Sequence, residues 1–237
     1  MTVPFGALTD HFGILAIVNG AGTLADCLTL VGSSKTPIAL SRADAQDENG
    51  DITASSWFGA PATMFEASST FAVKSDSFSL NLLKCGYIAT TKAILSIDVK
   101  TENGAWPQIT VSGRLGCIDP ATLKTYTLPA FTISGKKQAQ PIGFTVTAGC
   151  KLTGSGFSAS VDFAEQADGV GVPCAQDVSG GVLTGSGDFV GVTAVPAWTV
   201  TGITGAVETQ APGNDEPQAA YSTGTGTWEM MLSVDVA

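Results

Sequence analysis

The run Thr227-Trp-Glu-Met-Met-Leu-Ser-Val-Asp-Val236 decides how the rest of the chain is read. Trp228, Met230, Leu232, Val234 and Val236 fall on one side of an extended ribbon, and Thr227, Glu229, Ser233 and Asp235 on the other; only Met231 breaks the alternation. Two is the side-chain period of a β-strand, so this run predicts a strand with one dry face and one wet face.

The same alternation recurs upstream. Phe157, Ala159, Val161 and Phe163 alternate with Ser158, Ser160 and Asp162; Ile142, Phe144 and Val146 with Gly143, Thr145 and Thr147; Leu95, Ile97 and Val99 with Ser96, Asp98 and Lys100. Phe65, Ala67, Phe71 and Val73 share a face opposite Glu66, Ser68, Thr70 and Lys74. Strands buried on one side only imply antiparallel sheets, packed as an all-β sandwich or barrel with short turns and at most one or two short helices. Asn49-Gly50 and Asn103-Gly104 are dipeptides favoured in type I′ hairpins. The first is expected to join Ile38–Ala43 to Ile52–Ser56, the second Ile94–Lys100 to Gln108–Ser112. Asp76–Gly86 reads equally as a two-turn helix capped by Ser77 or as an alternating strand, and Thr209–Tyr221 as an exposed loop rich in turn formers. Leu-Thr-Gly-Ser-Gly occurs at 152–156 and again at 183–187, each copy leading to a Phe, with Ala164–Gly181 as the connection; a duplicated strand pair would produce this echo.

Composition bounds the function. The 237 residues fit a single β-rich domain, 1–237, with a subdivision near 150 into a charge-neutral part and an acidic part. Up to Lys151 there are 11 acidic and 11 basic residues; from Leu152 onward there are 10 acidic residues and no Lys or Arg. A net charge of −10 without a basic footprint argues against sequence-specific nucleic-acid binding. Charged residues make up only 14%, which suggests a surface partly covered by partners. Cys27, Cys85, Cys117, Cys150 and Cys174 show no metal-ligand spacing, and with no signal peptide they suggest free thiols in a reducing compartment and a product made in the cytoplasm. The apolar run of the N-terminus, MTVPFGALTDHFGILAIV, is too short and too broken by glycine for a membrane span, and no membrane partner is expected.

Catalytic constellations are missing. The one histidine, His11, lies beside Asp10 in the N-terminal segment, and no GxSxG elbow presents a nucleophile, so an enzyme is not expected. Asp44, Asp47, Glu48, Asn49 and Asp51 crowd around Gly50, but an EF-hand frame puts Ala45 first and Ser56 twelfth where carboxylates are required. A solvated hairpin tip accounts for them, and neither a metal nor a cofactor is expected. Glu66, Asp98 and Glu229 fall on outward strand faces. Trp57, Trp106 and Trp198 are candidates for subunit contact, with sugar stacking as the competing use, whereas Trp228 alternates with the core.

The segments Ala43–Phe58 (ADAQDENGDITASSWF) and Ile97–Gly113 (IDVKTENGAWPQITVSG) resemble hairpins of tail-tube-type virion proteins of tailed bacteriophages. The resemblance implies a virion subunit made in the host cytoplasm, a homo-oligomer that joins copies of itself and other virion proteins into rings or a tube. It also implies an acidic lining past which DNA moves without tight contact. The base-free stretch supplies the candidates for that lining, Asp162, Glu165, Asp168, Asp177 and Asp188. A capsid decoration or head-fibre protein and a carbohydrate-binding β-sandwich module are the alternatives.

Overall fold

The computed structural model describes residues 28–37, 41–58, 64–89, 92–117, 124–146, 148–167, 173–191, 198–200, 207–211 and 222–233. The strands are β1 (Leu28–Pro37), β2 (Ser41–Gln46), β3 (Ile52–Phe58), β4 (Phe65–Val73), β5 (Phe78–Ser79), β6 (Lys84–Ile88), β7 (Ala93–Glu102) and β8 (Gln108–Leu115). They continue as β9 (Thr125–Thr127), β10 (Thr132–Ile133), β11 (Phe144–Val146), β12 (Cys150–Ala167), β13 (Pro173–Gly191), β14 (Trp198–Val200), β15 (Val207–Ala211) and β16 (Ser222–Met231). Among the described residues the one helical element is a 3₁₀ turn, Leu80–Leu82.

The fold is all-β and antiparallel, of sandwich or barrel type. Ten strands form one sheet in the order β1-β4-β8-β7-β12-β13-β16-β15, with β6 added to β7 and β9 to β6. β7 is the branch point. One of its edges takes β8 along Ala93–Lys100; the other is shared between β6, at Ala93–Leu95, and β12, at Ile97–Glu102. Diverging there, the sheet covers the main core, which includes Leu95, Ile97, Val99, Ile109, Val111, Phe71, Phe157, Leu183, Phe189 and Trp228. The short pairs β5–β10 and β11–β14 add Phe78, Ile133 and Phe144 to it. Phe131, Phe144, Phe157, Phe189 and Trp228 form an aromatic nest with centroids 5.6–6.4 Å apart, in the tilted and edge-on arrangements that ring quadrupoles favour.

The described part of the deciding run, Thr227–Ser233, keeps the alternation; β16 ends at Met231, and Val234, Asp235 and Val236 lie outside the described residues. Trp228 and Leu232 are buried, Glu229 and Ser233 are exposed, and the pattern-breaker Met231 is 62% exposed. Leu95, Ile97 and Val99 are buried with Asp98 and Lys100 outside. Phe163 departs from its pattern and is exposed, because a bulge between Val161 and Asp162 breaks the register just before it.

Several expectations need correction. Both hairpins exist, but neither turn is type I′: Gly50 (φ 84°) and Gly104 (φ 87°) are left-handed while Asn49 and Asn103 are not. In the first, the Asp47 carboxylate accepts hydrogen bonds from the Asn49 and Asp51 N–H groups at 2.9 and 3.0 Å, and the Gly50 N–H donates to the Asp47 carbonyl at 3.0 Å, which closes the turn on a left-handed glycine. Its first strand starts at Ser41 and runs on to Gln46; residues 38–40 lie outside the described residues. Asp76–Gly86 is not a helix but a short strand, a 3₁₀ turn and the start of β6, with Phe78, Leu80 and Leu83 all buried. Thr209–Ala211 belongs to β15, and the remainder of that expected loop lies outside the described residues. Ala164–Gly181 is largely strand. The two LTGSG copies are therefore the two legs of one hairpin rather than two separate strand pairs, facing each other at Ser155↔Gly187 and Gly156↔Ser186.

Candidate functional site

A furrow of about 430 Å³ crosses the outer face of the sheet over β7, β12, β13 and β16. Gly154 and Gly156 of β12 carry no side chain and form its floor, opposite Glu102 and Lys100 on one flank and Asp188 and Ser186 on the other. Asp188 accepts a hydrogen bond from the Thr225 hydroxyl at 2.9 Å. Lys100 pairs with Glu102 at 2.7 Å across two exposed side chains. Asp98, Glu102 and Asp188 thus set three carboxylates against one amine, on a face otherwise of glycine and hydroxyl groups.

The other candidate acids occupy the distal hairpin. β12 pairs with β7 only as far as Ala159, and β16 joins β13 only from Val182, so the rest of the hairpin continues as a two-stranded arm. Asp162 and Asp177 share one face of it, since Asp177 lies opposite Ala164. Burial pushes the pKa of the nearby Tyr126 hydroxyl up, and the charges of Asp162 and Asp177 add to the rise. Glu165 is on the opposite face, where it accepts from Arg114 at 2.6 Å and from Gln176 at 2.7 Å. The Arg114 guanidinium also lies 5.2 Å from the Phe163 ring centroid. Beneath the arm, Val178 joins Tyr87, Ile94 and Cys117 in a second small core. Burial pushes the Cys117 thiol up to about 11 even though Arg114 pulls it down.

The candidate lining is therefore divided among three places: Asp188 in the furrow, Asp162 and Asp177 on one face of the arm, and Glu165 on the other, paired with Arg114. Asp168 lies outside the described residues. The furrow's companions Asp98 and Glu102 come from the charge-neutral part of the chain. Charge counting misses them, because only strand register connects residues 98 and 102 with residue 188.

Among the tryptophans, Trp57 stands in β3 opposite Arg42, and Trp198 in β14 opposite Val146. Trp106 is 38% exposed, with the ammonium groups of Lys137 and Lys74 at 5.2 and 5.8 Å from its ring centroid. His11 lies outside the described residues. Among the described residues no group of three or more His, Cys, Asp or Glu side chains could hold a metal ion, and no helix is long and apolar enough to cross a membrane.

No protein-family model matches this chain, and no curated protein matches it.

Proposed function

We propose that this protein is a structural subunit of a phage particle, a tail-tube-type protein that assembles with copies of itself and with other virion proteins into rings or a tube. The observation that carries this reading is the ten-stranded sheet, whose terminal strands β1 and β15 each pair on one side only among the described residues. β1 is ten residues long, Val31 to Thr36 are exposed, and Val31 is 59% accessible. An open edge of this length is a template for another strand. The bulge at Leu30/Gly32 and the single charge of Lys35 restrict which strand can take it. The two edges are unlike, so β1 of one copy meeting β15 of the next gives a heterologous contact, which closes into a ring or runs on as a filament.

The furrow face supports the acidic-lining part of the reading. Carboxylates with few cations repel a phosphate backbone and offer it no anchor. Negative-stain microscopy of concentrated protein is expected to show rings or tubes. A strictly monomeric species in light scattering, at every salt and protein concentration tried, removes the proposal.

A further inference from the structure

The β2–β3 hairpin pairs with no third strand among the described residues, and every residue from Asp44 to Ala54 is exposed. A two-stranded hairpin is marginally stable in water by itself, so a hairpin held this way gains by resting on something. Its tip carries Asp47, Glu48 and Asp51 within five positions beside Asp44, no Lys or Arg, and Ile52 at 52% exposure.

The complementary surface is the patch around Trp106. Lys74 follows β4, Trp106 lies between β7 and β8, and Lys136 and Lys137 follow β10; all four side chains are exposed. Backbone hydrogen bonds fix these segments to one another: Gly104 N–H to the Lys137 carbonyl at 3.0 Å and Gly135 N–H to the Ser75 carbonyl at 2.6 Å. The Asn103 side chain adds a third tie, accepting from the Ala139 N–H at 3.0 Å. None of the three lysines forms an ion pair with a described residue; two of them face the Trp106 ring instead.

The two features are attached to opposite ends of β4. The hairpin lies in the chain between Pro37 and Phe65, which pair at one end, and the patch adjoins the other end, where Leu28 pairs with Val73 and the Val73 N–H donates to the Pro107 carbonyl. Eight residue steps of β4 separate these ends, roughly 27 Å at the rise of a strand. A hairpin attached at one end of β4 and its complement at the other meet most directly between copies.

We propose that the Trp106–lysine patch is the docking site for the acidic β2–β3 hairpin of a second copy of this chain, with Ile52 against the indole and Glu48 and Asp51 against the lysines. This rests on the self-assembling reading above and adds to it a contact along the strand axis, across from the lateral edge pairing. In a tube it is the contact that stacks one ring on the next.

Sedimentation velocity and microscopy of the full chain test it. Lys136→Glu with Lys137→Glu, and separately Glu48→Lys with Asp51→Lys, are expected to weaken stacking about tenfold or more, and the four changes combined in one chain to restore it. Carbodiimide coupling of mixed ¹⁴N- and ¹⁵N-labelled protein is expected to join Glu48 or Asp51 to Lys136 or Lys137 between differently labelled copies. Stacking unchanged in both charge-reversed variants, no restoration in the combined one, or coupling only within single copies overturns the inference. So does loss of single-stranded oligonucleotide binding in the lysine variant with self-association intact. If wild-type rings and tubes form while the variants behave identically, this inference alone falls; if the wild type never associates, the particle reading falls as well.

Discussion

Trp228 lies against Gly185, its cross-strand partner, and a Cβ on that glycine would overlap the indole ring. Gly185→Val is therefore expected to cost roughly 3 kcal/mol in urea denaturation, the scale of core overpacking. Gly32→Ala, where nothing lies within 4 Å, serves as the near-neutral control. Thr101, Ser155 and Gln140 form a buried knot: the Thr101 hydroxyl lies 2.9 Å from that of Ser155 and accepts from the Gln140 N–H at 3.0 Å, and Ser155 donates to the Gln140 carbonyl. Thr101→Val leaves these groups short of a partner in the dry interior, and thermal melts are expected to register a loss of about 1–3 kcal/mol. Cys117 gives a pH signature. Its thiol titrates at about 11 in the folded chain against an ordinary 9.0, so the folded state holds the proton more tightly. Its stabilising contribution is then full below pH 9 and is lost as pH rises toward about 11. The wild type is expected to lose more stability across that window than Cys117→Ala, and Cys117 to resist alkylation at pH 8 until the chain unfolds. The burial behind these three environments is not legible in sequence, because the residues that supply it come mostly from distant parts of the chain.

At the scale of elements, alternation located β4, β7, β11, β12 and β16 but understated the longest hairpin. Gly, Asp and Pro around residues 164–181 read as a connection, yet the legs run to Ala167 and restart at Pro173 because cross-strand pairing and Val178 hold them. The arm is fastened by Arg114, which pairs with Glu165 and covers Phe163. Both charged side chains are about a quarter exposed, so solvent screening limits the pair to about 1 kcal/mol. Arg114→Ala is expected to speed hydrogen exchange by roughly fivefold at Asp162–Gln166 and Gln176–Val178 and to leave Leu95–Val99 unchanged. Equal acceleration everywhere would mean that the arm does not open separately from the core. The Asn-Gly turns give a similar lesson. The dipeptides marked the right places, but Asp47 and the contacts of Asn103 chose the turn conformation.

For the whole molecule, the two proposed interfaces differ in how they respond to salt. Edge pairing relies on backbone hydrogen bonds, whereas the hairpin–patch contact relies on charges that are screened over about 10 Å at 0.1 M and about 3 Å at 1 M salt. Raising salt is expected to dissolve stacks before rings, visible by sedimentation as a shift from long to short species. The sequence by itself determined the all-β class, the inward and outward faces of the main strands and the excess of acid after residue 151, since these follow from a period of two and from counting charges along one chain. Only the tertiary structure decided which distant residues became neighbours. It set Asp98 and Glu102 beside Asp188, paired Glu165 with Arg114, and brought the Lys74 and Lys137 ammonium groups over Trp106. Register between strands far apart in the chain is fixed by how their apolar faces close over a shared core, and no local pattern encodes it.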